Sequence, residues 1–483
     1  MDDSGFSVST LTPRQAAVRD LFDRLAPDVD GWAARNRAFH DADLAYLRFL
    51  VPAGASILEV GCGLGDVLAA LKPSRGVGID LSPATVARAR ERHAGLEFYV
   101  GNAEDKADLA KIAGIFDVIL LSDTIGFLDD CEETLRQLLR FAGPRTRIIV
   151  SYYSRLWEPV LGAAERLGLK MPQGQHTWLS TTDTMNLLAL AGWEPVKREW
   201  RQLLPRRLLG LGPLINRTIA PLPGIRRLCL RNYVVARPSA GAPSAPSCTV
   251  LIPCRNERGN IESAVRRLPK FARDLEVIFV EGHSADGTYE ECLRVRDTYP
   301  GMDIKVLRQD GKGKGDAVRK GFAAARGEVL MILDADLTMP PESLPKFYHA
   351  IASGIGEFIN GSRLVYPMAD RAMRFLNWIA NRAFASAFSF LLNQRFTDTL
   401  CGTKVLWKRD YETIVVNRGY FGEFDPFGDF DLIFGAARLN LKIVEVPIRY
   451  ADRAYGETQI SRFQHGWLLL RMVLFAWRKF KAI

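Results

Sequence analysis

Short apolar runs recur along the chain, each followed by a glycine or an acid and then by a stretch with helical spacing. SILEV (56–60), GVGID (76–80), FDVILLS (116–122) and RIIVSYY (147–153) read as buried strands in the first half, and CTVLIP, LEVIFV, IKVL, EVLMILD and EFING in the second. Runs that are continuously apolar suit strands covered on both faces. Alternation of such strands with helices predicts parallel, doubly wound sheets that bind ligands beyond the carboxyl ends of their strands. Between the two sets lies PSAGAPSAPS, residues 238–247, uncharged and rich in proline and serine, the composition of a linker. The expected division is a domain over 1–237, the linker, and a domain over 248–483.

Composition narrows this little. A length of 483 residues exceeds one compact core, and 48% hydrophobic with 25% charged residues describes a folded chain. The net charge of +9 suggests an anionic partner. Nucleic acid is not expected, since no recognised fold or ordered aromatic and basic platform accompanies the charge. Cysteines 62, 131, 229, 248, 254, 292 and 401 lack CxxC spacing, which fits a reducing cytosol and no zinc site. MDDSGFSVSTLTPRQ has no basic segment followed by an apolar one, so no secretory signal is expected. No apolar run reaches the roughly 20 residues that cross a bilayer, and a soluble or peripheral protein is expected.

In the first half, ILEVGCGLGD places Glu59, Gly61, Gly63 and Gly65 between a strand and a helix. Glycines permit a tight turn and close approach to a ligand, while the following helix offers unpaired amides. A dinucleotide fingerprint wants its third glycine one position later, where Asp66 stands, so NAD is disfavoured. ExGxGxG followed by Asp80 at the end of the next strand resembles the class I S-adenosylmethionine-dependent methyltransferases. The resemblance implies that the Gly61–Gly65 loop cradles the amino acid part of S-adenosylmethionine and that Asp80 accepts from the ribose hydroxyls. It places Asn102, Ala103 and Glu104 along the adenine edge, and Asp123 and Thr124 toward the methyl acceptor. His176 and Trp178 are candidates for the acceptor pocket, the plainer reading being that they are packed or solvated.

The second half carries an acidic pair at a strand exit, in MILDADLTMPPE (331–342). Asp334 and Asp336, one residue apart, can bind one divalent cation through hard oxygen ligands, Mg²⁺ or Mn²⁺. Around it stand TVLIPCRNE (249–257), FVEGHSADGT (279–288), GKGKGDAVRKGFAAARGE (311–328), NGSR (360–363) and DTLCGTKV (398–405). In this order they resemble the family two glycosyltransferases of GT-A fold, and within them the dolichyl- and polyprenyl-phosphate mannose and glucose synthases. The resemblance implies that Pro253 and Glu257 flank the nucleotide base, with Asn256 beside them, and that Asp334 and Asp336 hold the metal on the donor diphosphate. Arg363 would grip a phosphate, helped by Lys312 and Lys314. Relatives have two adjacent aspartates where this chain has Glu281 and Gly282, which leaves the nucleotide open between UDP-glucose and GDP-mannose types. An acceptor phosphate is already anionic and needs no base; a hydroxyl acceptor would need one, for which Asp429 and Asp431 are candidates.

Three stretches interleave aromatic or aliphatic residues with cations, as suits a membrane edge: 206–227, 370–392 and the C-terminal HGWLLLRMVLFAWRKFKAI. In the second, Arg374, Asn377 and Asn381 form one stripe. The alternative for each stretch is packing against its own domain or a second subunit of a homo-oligomer. QISRF (459–463) faintly echoes the QxxRW motif of processive polysaccharide synthases, with Phe463 in place of the tryptophan. The expectation is therefore α/β, with two doubly wound domains: an N-terminal Rossmann-like methyltransferase and a C-terminal GT-A glycosyltransferase with amphipathic interfacial helices. Its expected partners are a nucleotide-sugar, a polyprenyl phosphate and the cytoplasmic face of the inner membrane.

Overall fold

The computed structural model describes residues 11–207, 210–241, 244–365, 375–420, 430–449, 451, 455 and 462–483. Two compact units result, residues 1–239 with 481–483, and residues 240–480. In the first, strands β1 (Ile57–Val60), β2 (Gly76–Asp80), β3 (Glu97–Val100), β4 (Phe116–Ser122), β5 (Ala142–Tyr153), β6 (Trp193–Arg201) and β7 (Arg231–Pro238) form one sheet in the order β3-β2-β1-β4-β5-β7-β6. The five strands from β3 to β5 run parallel, and their apolar side chains are almost entirely removed from water. Strand β7 inserts antiparallel between β5 and β6, so the sheet is mixed, where strand–helix alternation alone led to the expectation of parallel pairing. Strands β6 and β7 follow each other in the chain, joined by residues 202–230, and pair directly as antiparallel neighbours.

Helix starts follow capping chemistry. Thr12 and Gln15 form a reciprocal capping box at Pro13–Leu25, and Ser82 accepts from the Thr85 amide at Pro83–Arg92. These helices and Arg37–Leu50 lie on the side of the first unit where β1, β2 and β4 end.

The second unit has strands β8 (Cys248–Cys254), β9 (Leu275–Glu281), β10 (Asp303–Arg308), β11 (Val329–Ile332), β12 (Phe358–Ser362), β13 (Lys404–Trp407) and β14 (Ile443–Pro447), in the order β10-β9-β8-β11-β13-β12-β14. Here again one strand breaks the expected parallel pattern: β13 is antiparallel to both β11 and β12, with Met331 opposite Val405 and Asn360 opposite Lys404. This reversal brings the residues just before β13 to the same edge of the sheet as the residues just after β11 and β12.

Of the three stretches with a membrane-edge pattern, the described part of helix Phe375–Leu392 packs inward: Phe388 is fully buried against Phe430 and Phe434. Arg374 and the side chain of Asn377 lie outside the described residues, while Asn381 is half-buried. Helix Arg462–Ala476 turns Trp467, Leu470 and Leu474 outward and buries Leu469 and Met472. Lys481, read from the sequence as a membrane-facing cation, is fully buried and pairs with Glu199; burial pushes its pKa down to about 8. No helix among the described residues is long and apolar enough to cross a membrane.

Candidate functional sites

In the first unit the ends of β1, β2 and β4 open on a cavity of about 470 Å³. Gly61, Gly63, Asp80, Asn102, Ala103 and Asp123 all line it. The turn after β1 is left-handed at Gly61 and Gly63, with φ of +71° and +51°. A β-carbon at Gly61 would overlap the Thr124 side chain, whose hydroxyl donates to the Val60 carbonyl at 2.7 Å and ties the ends of β1 and β4 together. At Gly63 a β-carbon would meet nothing within 4 Å, so the backbone here faces open space that a ligand can enter. The Gly63 amide donates to Asp80 Oδ2 at 2.8 Å and the Ser82 amide to Oδ1 at 2.9 Å, which fixes the carboxylate at the cavity wall. Asn102 closes its own turn by accepting from the Glu104 amide at 3.0 Å, and Glu104 in turn accepts from the Gln15 side chain and from the amides of Asp129 and Asp130.

Two of the motif residues stand behind this surface. Gly65 begins helix Asp66–Ala70 and packs on the Phe98 ring, with no room for a β-carbon. Glu59 is 2% exposed, one of its carboxylate oxygens has no hydrogen-bond partner, and burial pushes its pKa up to about 8. His176 lies between the Phe127 and Trp178 rings, at centroid distances of 5.6 and 4.4 Å. Neither His176 nor Trp178 lines the large cavity; both line a neighbouring space of about 20 Å³.

The far wall of the cavity comes from residues that sequence patterns did not single out: Trp32, Phe39, His40, Tyr153, Trp157 and Lys170. Two of them, Phe39 and Tyr153, pack on Arg231, which is fully buried at the start of β7. Its guanidinium donates to Asp43 at 2.9 Å, to Ser151 at 3.2 Å and to Asp123, and lies over the Tyr153 and Phe39 rings at 5.0 and 5.5 Å. Tyr233 also donates to Asp43. Helix Arg37–Leu50, the end of β4 and β7 are thus joined through one cation.

In the second unit the loops after β8 and β9 are knitted together. The Asn256 amide donates to Ser284 Oγ at 2.9 Å and its side-chain oxygen accepts from the Ala285 amide at 2.9 Å. The Glu257 amide donates to Thr288 Oγ1 at 3.0 Å, while its carboxylate accepts from Asn260 at 2.7 Å. Glu281, 2% exposed, accepts from the Ser284 amide. Asn256, Glu257 and Glu281 therefore build the loops that flank Pro253.

Asp334 leaves the sheet just after β11, and Lys314, at the first turn of helix Lys314–Ala324, places its ammonium 2.7 Å from Asp334 Oδ1. Burial opposes the charge of Asp334, and the Lys314 ammonium outweighs it, holding the carboxyl below the usual carboxylate range with further help from Lys404 and Arg363. The other side of Asp334 presses on Gly402, where any β-carbon would overlap the carboxylate. Asp336 Oδ1 accepts from the Thr338 amide at 3.1 Å and hydroxyl at 2.8 Å. Arg363 is held by the fully buried Asp398, through Nε at 2.6 Å and Nη2 at 2.9 Å. Burial works against ionisation of Asp398, and Arg363 brings its pKa below the usual range. Asp398, Gly402 and Lys404 all arrive by way of antiparallel β13. A carboxylate paired with a lysine ammonium and within the field of an arginine, with a second carboxylate two residues on, forms a place where a cation already sits and where an anionic diphosphate can be met by positive charge. Lys312 is exposed. Asp431 pairs with Arg418 at 2.6 Å, and Asp429 and Gln459 lie outside the described residues. No cluster of three metal-ligating side chains occurs among the described residues.

The profile of Glycosyl transferase family 2 matches residues 249–415, and that of a methyltransferase domain matches residues 15–198. A dolichol-phosphate mannosyltransferase of Pyrococcus furiosus is 30% identical over 44% of this chain and 59% of its own length. A low-salt glycan biosynthesis hexosyltransferase of Haloferax volcanii is 28% identical over 49% of this chain and 55% of its own. The chain thus spans somewhat more than half the length of these two relatives. A solved SAM-dependent methyltransferase from Thermotoga maritima is 22% identical, with a TM-score of 0.36 over 46% of this chain and 99% of that one.

Two outcomes test the first site. Replacing Arg231 with Met leaves Asp43 and Asp123 without their buried cation and is expected to lower stability by about 3–5 kcal/mol in urea unfolding of the full chain. For Glu59, a folded pKa near 8 against 4.5 in the unfolded chain means that its burial costs nothing below pH 4.5 and that the cost grows as pH rises to 8. Glu59→Gln, which keeps an acceptor, should match wild type near pH 4.5 and exceed it by a few kcal/mol, about 2–5, near pH 8; equal pH profiles would refute this. The chain carries a methyltransferase domain in its N-terminal half and a family 2 glycosyltransferase domain in its C-terminal half.

Proposed function

We propose that the second unit transfers a hexose from a nucleotide-sugar of UDP-glucose or GDP-mannose type to a polyprenyl phosphate, with inversion. The observation that carries this reading is the ion pair of Lys314 with Asp334, two residues before Asp336 and within the field of Arg363. Asp334 and Asp336 would hold Mg²⁺ or Mn²⁺, which supplies positive charge to the leaving diphosphate as its bond to the sugar breaks. Lys314 and Arg363 add fixed positive charge at the same edge of the sheet, and Asp398 keeps the guanidinium in place. Pro253, Asn256, Glu257 and Glu281 would contact or shape the nucleotide pocket. The named activity of the Pyrococcus relative supports the lipid-phosphate acceptor. That Asp431 is already paired with Arg418 weighs against a base-assisted hydroxyl acceptor.

The first unit, on the same reading, binds S-adenosylmethionine through the Gly61–Gly65 turn, Asp80 and Asn102–Glu104, and methylates an acceptor belonging to the same glycan or envelope pathway. The bound cofactor would supply an electrophilic methyl group. The open face at Gly63 beside the fixed Asp80 carboxylate fits an extended ligand with ribose hydroxyls. Attachment would be peripheral, at the cytoplasmic membrane face.

With polyprenyl phosphate, radiolabelled GDP-mannose or UDP-glucose and Mn²⁺, the full chain is expected to label the lipid. Asp336→Ala or removal of metal with EDTA should lower the rate by about 100-fold or more. Label passing to a hydroxyl acceptor and never to lipid phosphate would sink the proposal, as would full activity of the Asp336 variant.

A further inference from the structure

The connection between β6 and β7, residues 202–230, contains Arg206, Arg207, Arg217, Arg226 and Arg227 and no aspartate or glutamate. It is fastened from beneath. Leu203 packs on Trp200, Ala220 and Cys229, and the Asn216 side chain bonds the Leu204 amide at 3.0 Å and its carbonyl at 2.7 Å. With those contacts made, Leu211, Leu214, Ile219, Leu222 and Leu228 still point outward, 38% to 58% exposed. The Trp157 indole donates to the Leu228 carbonyl at 2.8 Å and joins this surface to a second apolar one, where Leu156, Val160, Leu167 and Leu169 are 47% to 72% exposed. Val160, Leu169 and Arg206 are also walls of the methyltransferase cavity, so the apolar face runs to its rim.

A contiguous exposed apolar surface of this kind marks an interaction site. The arginines of the connection choose the occupant: Arg206, Arg207, Arg217 and Arg227 are exposed in the same segment as the leucines, Arg207 at 3.7 Å from Asp41. A second copy seated on this face about a two-fold axis would set like charges against each other, whereas anionic lipid headgroups meet the arginines while the leucines enter the acyl boundary. We propose that residues 156–169, 203–207 and 210–228 dock the first unit on a bilayer containing anionic lipid, and that the methyl acceptor is a membrane-borne molecule entering over the rim of Val160, Leu169 and Arg206. This rests on the methyltransferase reading of the cavity and names its substrate class.

Backbone amide exchange of the full chain tests it locally. With vesicles of phosphatidylcholine and about one third phosphatidylglycerol, exchange in Leu211–Thr218 and 156–169 is expected to slow by about 10-fold, with no change for phosphatidylcholine alone. The double variant Leu211→Asp, Leu214→Asp should lose that protection and keep wild-type affinity for S-adenosylmethionine. With tritiated S-adenosylmethionine, label should enter the organic phase of a membrane extract. Unchanged exchange in the presence of anionic vesicles overturns the docking. So does slowing that appears without vesicles as protein concentration rises, which would reveal a second copy. Label found only in water-soluble material overturns the acceptor class. Failure of the wild-type chain to bind S-adenosylmethionine would instead remove the methyltransferase reading, and is read separately from vesicle protection.

Discussion

The carboxylate of Asp334 lies against the backbone of Gly402, and much of the second unit is arranged to keep it there. An acid leaving a buried sheet is costly unless a cation meets it. Lys314 does so from a helix start, and Lys404 adds field from within β13. Gly402 leaves the space, because at that position even a methyl group would displace the carboxylate. Strand β13 has to run backwards for this to happen, since only then do Asp398, Gly402 and Lys404 reach the edge where β11 and β12 end. The fixed guanidinium of Arg363 follows from the same reversal, through Asp398.

The first unit solves a related problem with the charges exchanged. One buried guanidinium, Arg231, meets two aspartates from distant segments and a pair of aromatic faces. The strand that carries it, β7, is again the antiparallel one. In both units, then, the parallel strands supply the loops of the candidate site, and a reversed strand supplies charge that holds it.

This division explains how far the sequence could be read. The loop after β1, the acid closing β2 and the acidic pair after β11 are local: strand, turn and helix follow each other within a few residues, and glycine or aspartate at a fixed offset betrays the turn. The motif positions Gly61, Gly63, Asp80, Asn102, Ala103 and Asp123 accordingly lie around one cavity. Glu59 and Gly65 belong to the same motif yet stand behind it, because periodicity reports spacing and not which face a side chain takes. Strands β7 and β13 are absent from the strands read in the sequence, and even a recognised short apolar run carries no direction. The wall made by Trp32, His40 and Lys170 was not legible either: it arises from packing of the N-terminal helices and of a loop far along the chain. A single arginine at position 231 gives no sequence signal that it will pair with Asp43 and Asp123, 188 and 108 residues away. Likewise the basic pattern of 206–227 announced an interface, while its continuity with the cavity rim through Trp157 and Leu228 needed coordinates.

The Asp43–Arg231–Asp123 cluster has an electrostatic asymmetry. Two carboxylates share one guanidinium, and at Asp123 burial works against ionisation while Arg231 works for it, with burial prevailing. On the reading proposed above, a bound sulfonium would be favoured by whatever negative charge this cluster keeps, and the thioether left after methyl transfer would not. Release of the spent cofactor would then depend on the unequal count of opposite charges gathered around one arginine.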